Sequence, residues 1–347
     1  MKVCLVGAGH YAQFHLAAWA RMPGIELLGI ADLDVARAHC AIAANTAWPR
    51  AAVFRDVEDM VRQCRPDLVD IITPEASHGP LVGMLAGKVR TLMCQKPMAP
   101  TLEAARAMAE TARQAGTELL IHENFRFQPW FREARRLLDQ GVLGTPQQLT
   151  FRFRPGDGRG PDAYLARQPY FRTMEKFLVH ETVVHYTDTF RYLLGEVHAV
   201  TARLRRVNPA IAGEDAGIVI YEFTLGAIAT LDANRDLEHD TAEPRYTQGS
   251  MLLEGALATW RLDGTARTWL RRRGEASETQ YNAFSRNMPD GDSVFNYLTA
   301  MVQALEGAST SNTDIAASRA VAYLRNLEIE QAIYKSAAKG CTITLSM

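Results

Sequence analysis

Lys96 is one of six lysines in a chain that otherwise uses arginine, and only Gln95 separates it from the apolar run Leu92-Met93-Cys94. A charge so placed is expected to be partly withdrawn from water, where an ammonium can polarise or hydrogen-bond an oxygen of a bound molecule. Pro97 would fix the direction of that side chain, a cis bond being one way to do so. A second group lies in His180-Glu181-Thr182-Val183-Val184-His185-Tyr186-Thr187-Asp188. Read as a helix, this segment puts Glu181, His185 and Asp188 on one face at i, i+4 and i+7, so an imidazole able to move a proton and two carboxylates can line one cleft. No metal is expected there: the zinc-protease pattern needs histidines four apart, whereas these two are five apart, about 140° around a helix. A buried structural histidine is the competing reading, and it is stronger for His180 than for His185. Just upstream, Arg154, Arg159, Arg167, Arg172 and Lys176 lie among glycines, prolines and aromatics. One or two of them could grip a carboxylate, and the remainder are solvated.

A nucleotide signature opens the chain. The apolar strand Val3-Cys4-Leu5-Val6 runs into Gly7-Ala8-Gly9-His10-Tyr11-Ala12, a G-x-G-x-x-A pattern at the start of a helix. Gly7 allows the tight turn, Gly9 lets the backbone approach a pyrophosphate, and Ala12 keeps helix and strand close while the helix N-terminus faces the phosphates. Asp32 follows twenty residues after Ala12, at the end of the second strand. An acid there hydrogen-bonds a ribose 2′-hydroxyl and repels a 2′-phosphate, which favours NAD over NADP.

These groups need elements to hold them. Up to residue 124, short apolar runs alternate with amphipathic segments, the pattern of βαβ units around a parallel sheet. Strands are predicted over residues 2–6, 26–31, 68–73, 91–95 and 118–121, with helices over 11–21, 35–44, 57–63, 79–86 and 102–114. Ligands bind such sheets at the carboxyl ends of the strands. Three unusual segments lie there: Thr73-Pro74-Glu75-Ala76-Ser77-His78, Gln95-Lys96-Pro97 and His122-Glu123-Asn124-Phe125-Arg126-Phe127. From residue 147 the character changes to strands separated by turns, over 147–154, 199–207, 217–224, 227–234, 250–254, 258–261 and 268–272, a mostly antiparallel sheet. Helices over 295–306 and 315–336 and a short strand over 342–345 close the chain. The domains are thus 1–124, an α/β nucleotide-binding domain, and 125–347, an α+β substrate domain with an open sheet.

Composition agrees with two cores. The chain has 347 residues, 47% hydrophobic and 22% charged, with a net charge of -1. That length suits two domains, and that balance excludes a global field for nucleic acid or anionic lipid. No apolar run is long enough for a membrane span, and the amino terminus lacks the pattern of a signal peptide. Five scattered cysteines without a C-x-x-C pair point to a reducing cytoplasm.

Taken together, the sequence resembles the glucose-fructose oxidoreductase and inositol dehydrogenase family, Gfo/Idh/MocA, over nearly its whole length. The resemblance is carried by Gly7-Ala8-Gly9-His10-Tyr11-Ala12, Thr73-Pro74 with His78, Gln95-Lys96-Pro97, Asn124-Phe125-Arg126-Phe127 with Gly141-Val142-Leu143-Gly144, and Glu181-x-x-x-His185-x-x-Asp188 before Leu194-Gly195. It implies a Rossmann domain joined to a mostly antiparallel open sheet, NAD(P) as cofactor, and oxidation of a sugar, cyclitol or sugar-acid hydroxyl. It also implies a homodimer or homotetramer formed through the sheet face. Lys96 corresponds to the lysine of the E-K-P motif and His185 to the acid/base histidine of the D-x-x-x-H motif, with Glu181 beside it. Cofactor contacts are implied for His10, Tyr11, Thr73, Pro74 and His78, and for Gln95, Lys96 and Asn124. Substrate contacts are implied for Arg126, Arg154 and Arg172, besides Lys96, Glu181, His185 and Asp188. Two positions depart from the pattern: Gln95 stands for the usual glutamate and Glu181 for the usual aspartate. The chemistry expected is proton removal by His185, steadying of the oxyanion by Lys96, and hydride transfer to the nicotinamide. Two other readings share these features, an NAD-dependent glycosidase without net redox and a dinucleotide-binding sensor without turnover.

Overall fold

The computed structural model describes residues 1–285, 292–307 and 315–346. The chain forms two compact units, the first from Met1–Asn124 and Val294–Leu327, the second from Phe125–Ser293 and Glu328–Met347.

In the first unit, β1 (Lys2–Val6), β2 (Glu26–Ala31), β3 (Ala52–Phe54), β4 (Leu68–Ile71), β5 (Thr91–Gln95) and β6 (Glu118–His122) form one sheet in the order β3-β2-β1-β4-β5-β6. Every pairing in it is parallel. β4 and β5 are buried at every residue, as strands covered on both faces are. Three of the crossover helices start where short polar side chains cap them: Asp34, Asp56 and Thr101 accept from the N–H groups of Arg37, Asp59 and Ala104. β3 has only three residues, too few for a periodic signal, and pairs along the edge of β2.

A division of the chain at residue 124 alone omits one return. Segment Val294–Leu327 joins the first unit because it satisfies the outer edge of β6. The Ile121 N–H donates to the Ser318 carbonyl at 2.7 Å, and the Tyr297 hydroxyl to the Ile121 carbonyl at 3.0 Å. The Tyr323 hydroxyl donates to buried Glu123 at 3.1 Å. The long helix Ala320–Lys339 therefore contributes residues to both units.

The second unit is built on a nine-stranded sheet of β7 (Pro146–Phe153), β8 (Val197–Arg205), β9 (Ala216–Phe223), β10 (Ile228–Asn234), β11 (Gly249–Gly255), β12 (Ala258–Leu262), β13 (Arg267–Arg272), β14 (Thr279–Ala283) and β15 (Ile343–Thr344). Its order is β14-β13-β12-β11-β7-β10-β9-β8-β15, antiparallel except between β7 and β10. Alternation sorts the two faces. Leu149, Phe151 and Phe153 enter the core with Tyr186, Phe190, Trp130 and Ile333, whereas Ile218, Ile220 and Ile228 stay exposed on the other face. The helix Pro129–Asp139 was not expected from the sequence, although Pro129 suits its first turn and Trp130, Ala134 and Leu137 bury one side of it. Its buried Glu133 bolts it to the sheet, accepting from Trp260 Nε1 at 3.0 Å, Thr268 Oγ1 at 2.6 Å and Asn282 Nδ2 at 2.9 Å. Among the described residues no helix is long and apolar enough to cross a membrane.

Candidate active site

The glycine turn at the end of β1 is fixed by backbone geometry. Gly7 has φ +99°, and a Cβ there would lie 2.6 Å from the Ile72 carbonyl oxygen, a conformation and a clearance that only glycine meets. Its N–H donates to the Ala31 carbonyl at 2.8 Å. At Gly9 a Cβ would meet nothing within 4 Å, so the space glycine leaves there is open to a ligand. The helix Ala12–Ala20 that follows has no acid in its first turn and, unlike the helices capped by Asp34 and Asp56, no side-chain cap. Its first N–H groups are held only by backbone, Ala12 to the Gly9 carbonyl and Phe14 to that of Tyr11, both at 3.1 Å, so the positive end of the helix carries no side-chain charge and favours an anion. A cavity of about 640 Å³ lined by Ala8, Gly9, His10, Arg37 and Asn45 opens beside it. Half-buried Asp32 accepts from the Ala8 N–H at 2.7 Å through Oδ2 and from the Asp34 N–H at 2.8 Å through Oδ1. A carboxylate has about four lone-pair sites, so Asp32 can hold the turn and still meet a ribose hydroxyl. Open glycine, uncapped helix and acid at the second strand together fit a dinucleotide.

Two further turns follow β4 and β5. The Ser77 hydroxyl lies 2.7 Å from both Thr73 Oγ1 and the Pro74 carbonyl, closing the first. His78 is fully buried and ties the first turn to the second: its Nε2 is 2.8 Å from the Thr73 carbonyl, and its Nδ1 is 3.1 Å from that of Pro97 and 3.3 Å from that of Met98. Burial pulls this imidazole's pKa below the ordinary value, against the carbonyls that favour its charged form. Lys96 is half-buried, and its bond to Pro97 is cis. Gln95 directs its side chain into the interior, where Nε2 donates to His15 Nε2 at 2.8 Å and to His122 Nδ1 at 3.0 Å. His15 is also 2.7 Å from Asp70, which accepts from Trp19 Nε1 at 2.9 Å. An amide can donate to two imidazoles, where a carboxylate would require both to present N–H groups. Asn124 is buried at the end of the first stretch, His10 is exposed with its ring 3.1 Å from Gln13 Nε2, and Tyr11 is half-buried.

In the second unit, the segment after Asn124 grips the His185 helix. Phe125 stacks on His185, ring centroids 3.8 Å apart and planes within 4°. The Arg126 fork holds Asp188 through two bonds, Nε to Oδ2 at 2.5 Å and Nη2 to Oδ1, with both side chains buried. Arg154 is likewise matched by Asp232 and by the carbonyls of Phe153 and Asp232. Arg172 lies half-buried in the turn Pro169–Thr173. The expected single face of Glu181, His185 and Asp188 is altered by a π-helical turn, Leu178–Val183, that precedes the helix Val184–Leu194. A wider turn changes the angular step per residue. Each group consequently meets a different partner: Glu181 bonds Arg235 and Thr182, His185 stacks on Phe125, and Asp188 pairs with Arg126. His180 is 2.8 Å from Glu330. Sequence reasoning did not anticipate Arg235, His15 or Asp70. Arg235 follows β10 without any local pattern, and His15 and Asp70 are singled out only by their burial against each other.

Known proteins share this architecture. Residues 1–123 match the oxidoreductase family with an NAD-binding Rossmann fold, and residues 131–251 match the Gfo/Idh/MocA C-terminal domain. A D-apiose dehydrogenase of Paraburkholderia graminis is 34% identical over 78% of this chain and 70% of its own length. The chain belongs to the Gfo/Idh/MocA oxidoreductase family. A D-apiose dehydrogenase of Rhizobium rhizogenes is 29% identical over 99% of this chain and 97% of its own. The crystal structure of an oxidoreductase from Agrobacterium radiobacter in complex with NAD+, L-tartaric acid and magnesium superposes with a TM-score of 0.84 at 28% identity, covering 99% of this chain and 98% of that one. This member of the Gfo/Idh/MocA family is an NAD-dependent dehydrogenase of CH–OH groups.

Gly7→Ala should lower stability by about 1–2 kcal/mol from backbone conformation alone, with a further loss from the clash at Ile72. Gly9→Ala should leave the melting temperature near wild type and weaken NAD binding at least tenfold, as calorimetric melting and NAD titration would measure. His78, with its folded pKa depressed, binds fewer protons folded than unfolded between the two pKa values, so its stabilisation is complete above about pH 6.5. It should be lost as the pH falls from there through the folded pKa, and melting curves should decline less steeply with acid in His78→Gln.

Proposed function

We propose that this dehydrogenase oxidises a small neutral aldose of the size of D-apiose, with His185 as general base and Lys96 as the group that steadies the developing oxyanion. The observation that carries the reading is the stacking of Phe125 on His185, which fixes the imidazole plane as proton transfer requires. Two relatives named D-apiose dehydrogenases support the substrate class. Charge balance supports a neutral substrate over a sugar acid, because Arg126, Arg154 and Arg167 are already matched by Asp188, Asp232 and Asp157.

NAD+ held by the glycine turn and Asp32 supplies the hydride acceptor. His10, Tyr11, Thr73, Pro74, His78, Gln95 and Asn124 complete its surroundings, the last three from buried positions that stiffen the turns. His185 takes the proton of the substrate hydroxyl at a ring nitrogen, and the Lys96 ammonium donates a hydrogen bond to the same oxygen as negative charge grows on it. Glu181 accepts from a neighbouring substrate hydroxyl. Asp188 acts at one remove, holding Arg126 and with it the segment that carries Phe125. Arg172 lies on the turn Pro169–Thr173 and would meet the far end of the sugar. Five free cysteines suit a reducing compartment, and we place the enzyme in the cytoplasm. The exposed Ile218, Ile220 and Ile228 lie on adjacent strands β9 and β10 and would be covered by a second copy in a homodimer or homotetramer.

His185→Ala should lower kcat for aldose oxidation by about 10²–10⁴-fold, the usual range for a lost acid/base, without changing NAD affinity. Absorbance of reduced nicotinamide against D-apiose, other aldoses, inositols and aldonates gives the readout, and wild-type turnover in the variant would end the assignment. Ile220→Lys should shift the protein toward monomer in light scattering. An unchanged mass would remove the sheet face as the interface.

A further inference from the structure

Arg235 follows β10 directly and is buried, with its guanidinium 4.6 Å from the Phe177 ring centre and near the rings of Phe153, Tyr164 and Phe171 as well. Removing such a cation from water is costly unless carboxylates replace the solvent. Here two do. Nη1 donates to Asp157 at 3.1 and 3.0 Å and to the Tyr164 hydroxyl at 3.3 Å. Nη2 donates to Glu181 Oε2 at 2.8 Å and to Thr182 Oγ1. Arg167 touches Asp157 from the exposed side at 3.4 Å, so the groups facing the guanidinium are Asp157, Tyr164, Glu181 and Thr182, with one further cation behind Asp157. Burial works against the guanidinium's charge, but Asp157, Tyr164 and Glu181 outweigh it and hold its pKa above the ordinary value.

The same residue organises the loop after β7. Its backbone carbonyl accepts from the Gly158 N–H at 2.9 Å, and a Cβ on Gly158 would lie 2.8 Å from the Cβ of Arg235, so glycine is what lets the loop pass. Asn208 Nδ2 donates to the carbonyls of Gly158 at 2.7 Å and Gly160 at 2.8 Å. Asp157 and Glu181 belong to segments 24 positions apart in sequence, and one planar fork spans them. Lysine, a point donor, cannot span both carboxylates in that way.

We propose that Arg235 is a positioning residue for substrate recognition: it orients Glu181 as an acceptor for a sugar hydroxyl and locks the loop from Gly156 to Gln168 as a fixed wall beside it. The proposal rests on the reading of Glu181 as a substrate contact. Its chemistry is geometric. A freely rotating glutamate would bind the sugar with an entropy cost that a clamped one has already met in folding.

A double-mutant cycle tests this with steady-state kinetics on the full chain, using D-apiose or the best aldose found. Arg235→Lys should raise the sugar KM at least tenfold while the KM for NAD stays within twofold. In a Glu181→Gln background, Arg235→Lys should add little further. Independent, multiplicative effects of the two substitutions would overturn the proposal, as would an unchanged sugar KM in Arg235→Lys. An unchanged KM in Glu181→Gln alone would overturn the underlying reading of Glu181 as well, which distinguishes the two failures. Limited trypsin digestion gives a readout independent of activity, using Asp157→Asn should Arg235→Lys not fold. Wild type should resist cleavage at Arg159 and Arg167, and the variants should be cut there at least tenfold faster. Equal rates would show that the loop is not held by this fork.

Discussion

Parallel pairing in the first unit brings the carboxyl ends of its strands to one edge of the sheet. Val6 pairs with Ile71, Ile71 with Cys94, and Gln95 with His122, so the chain leaves β1, β4, β5 and β6 at nearly one level. Gly7, Thr73, Lys96 and Asn124 are consequently close in height although they are far apart in sequence. The register also dictates how close the backbones come. Ile72 leaves β4 directly beneath Gly7, and its carbonyl takes the space that any side chain at Gly7 would need. One register shift would move every one of these residues and turn their side chains to the opposite face.

Buried charge plays a comparable part in the second unit. Arg126 with Asp188 and Arg235 with Asp157 and Glu181 are withdrawn from water yet matched by planar, charge-assisted hydrogen bonds. Such pairs add little net stability, since desolvation offsets most of the Coulomb attraction, but losing one partner costs about 3–5 kcal/mol by leaving a bare charge. They therefore act as geometric constraints. Each joins two separate elements: Arg126 joins the Phe125–Phe127 turn to the helix Val184–Leu194, and Arg235 joins the end of β10 to the π-helical turn. In the arginine-rich stretch that suggested recognition of an acid, Arg154 and Arg167 meet carboxylates of the protein itself, Asp232 and Asp157.

The strand, glycine turn and helix at the amino terminus were legible because strand period, glycine spacing and Asp32 are local signals that agree with one another. The antiparallel sheet was legible from alternation, as in Leu149, Phe151 and Phe153. β3 and the helix Pro129–Asp139 were not: three residues carry no period, and the helix mixes buried Glu133 with its apolar side. The return of Val294–Leu327 to the first unit depends on which strand edge lacks partners, and no local pattern states that.

The sequence by itself determined the family, the dinucleotide turn, the cofactor preference written in Asp32, and the residue types at the strand ends. Only the tertiary structure decided what those side chains do. It turned Gln95 inward to two histidines, gave Asp188 to Arg126, and set Glu181 against Arg235. The physical reason is range. Turns, caps and periodicity are set within a few residues of backbone, whereas the partner of a buried charge is whichever opposite charge the packing brings near, here between 54 and 62 positions away in sequence for Arg235 with Glu181 and Arg126 with Asp188.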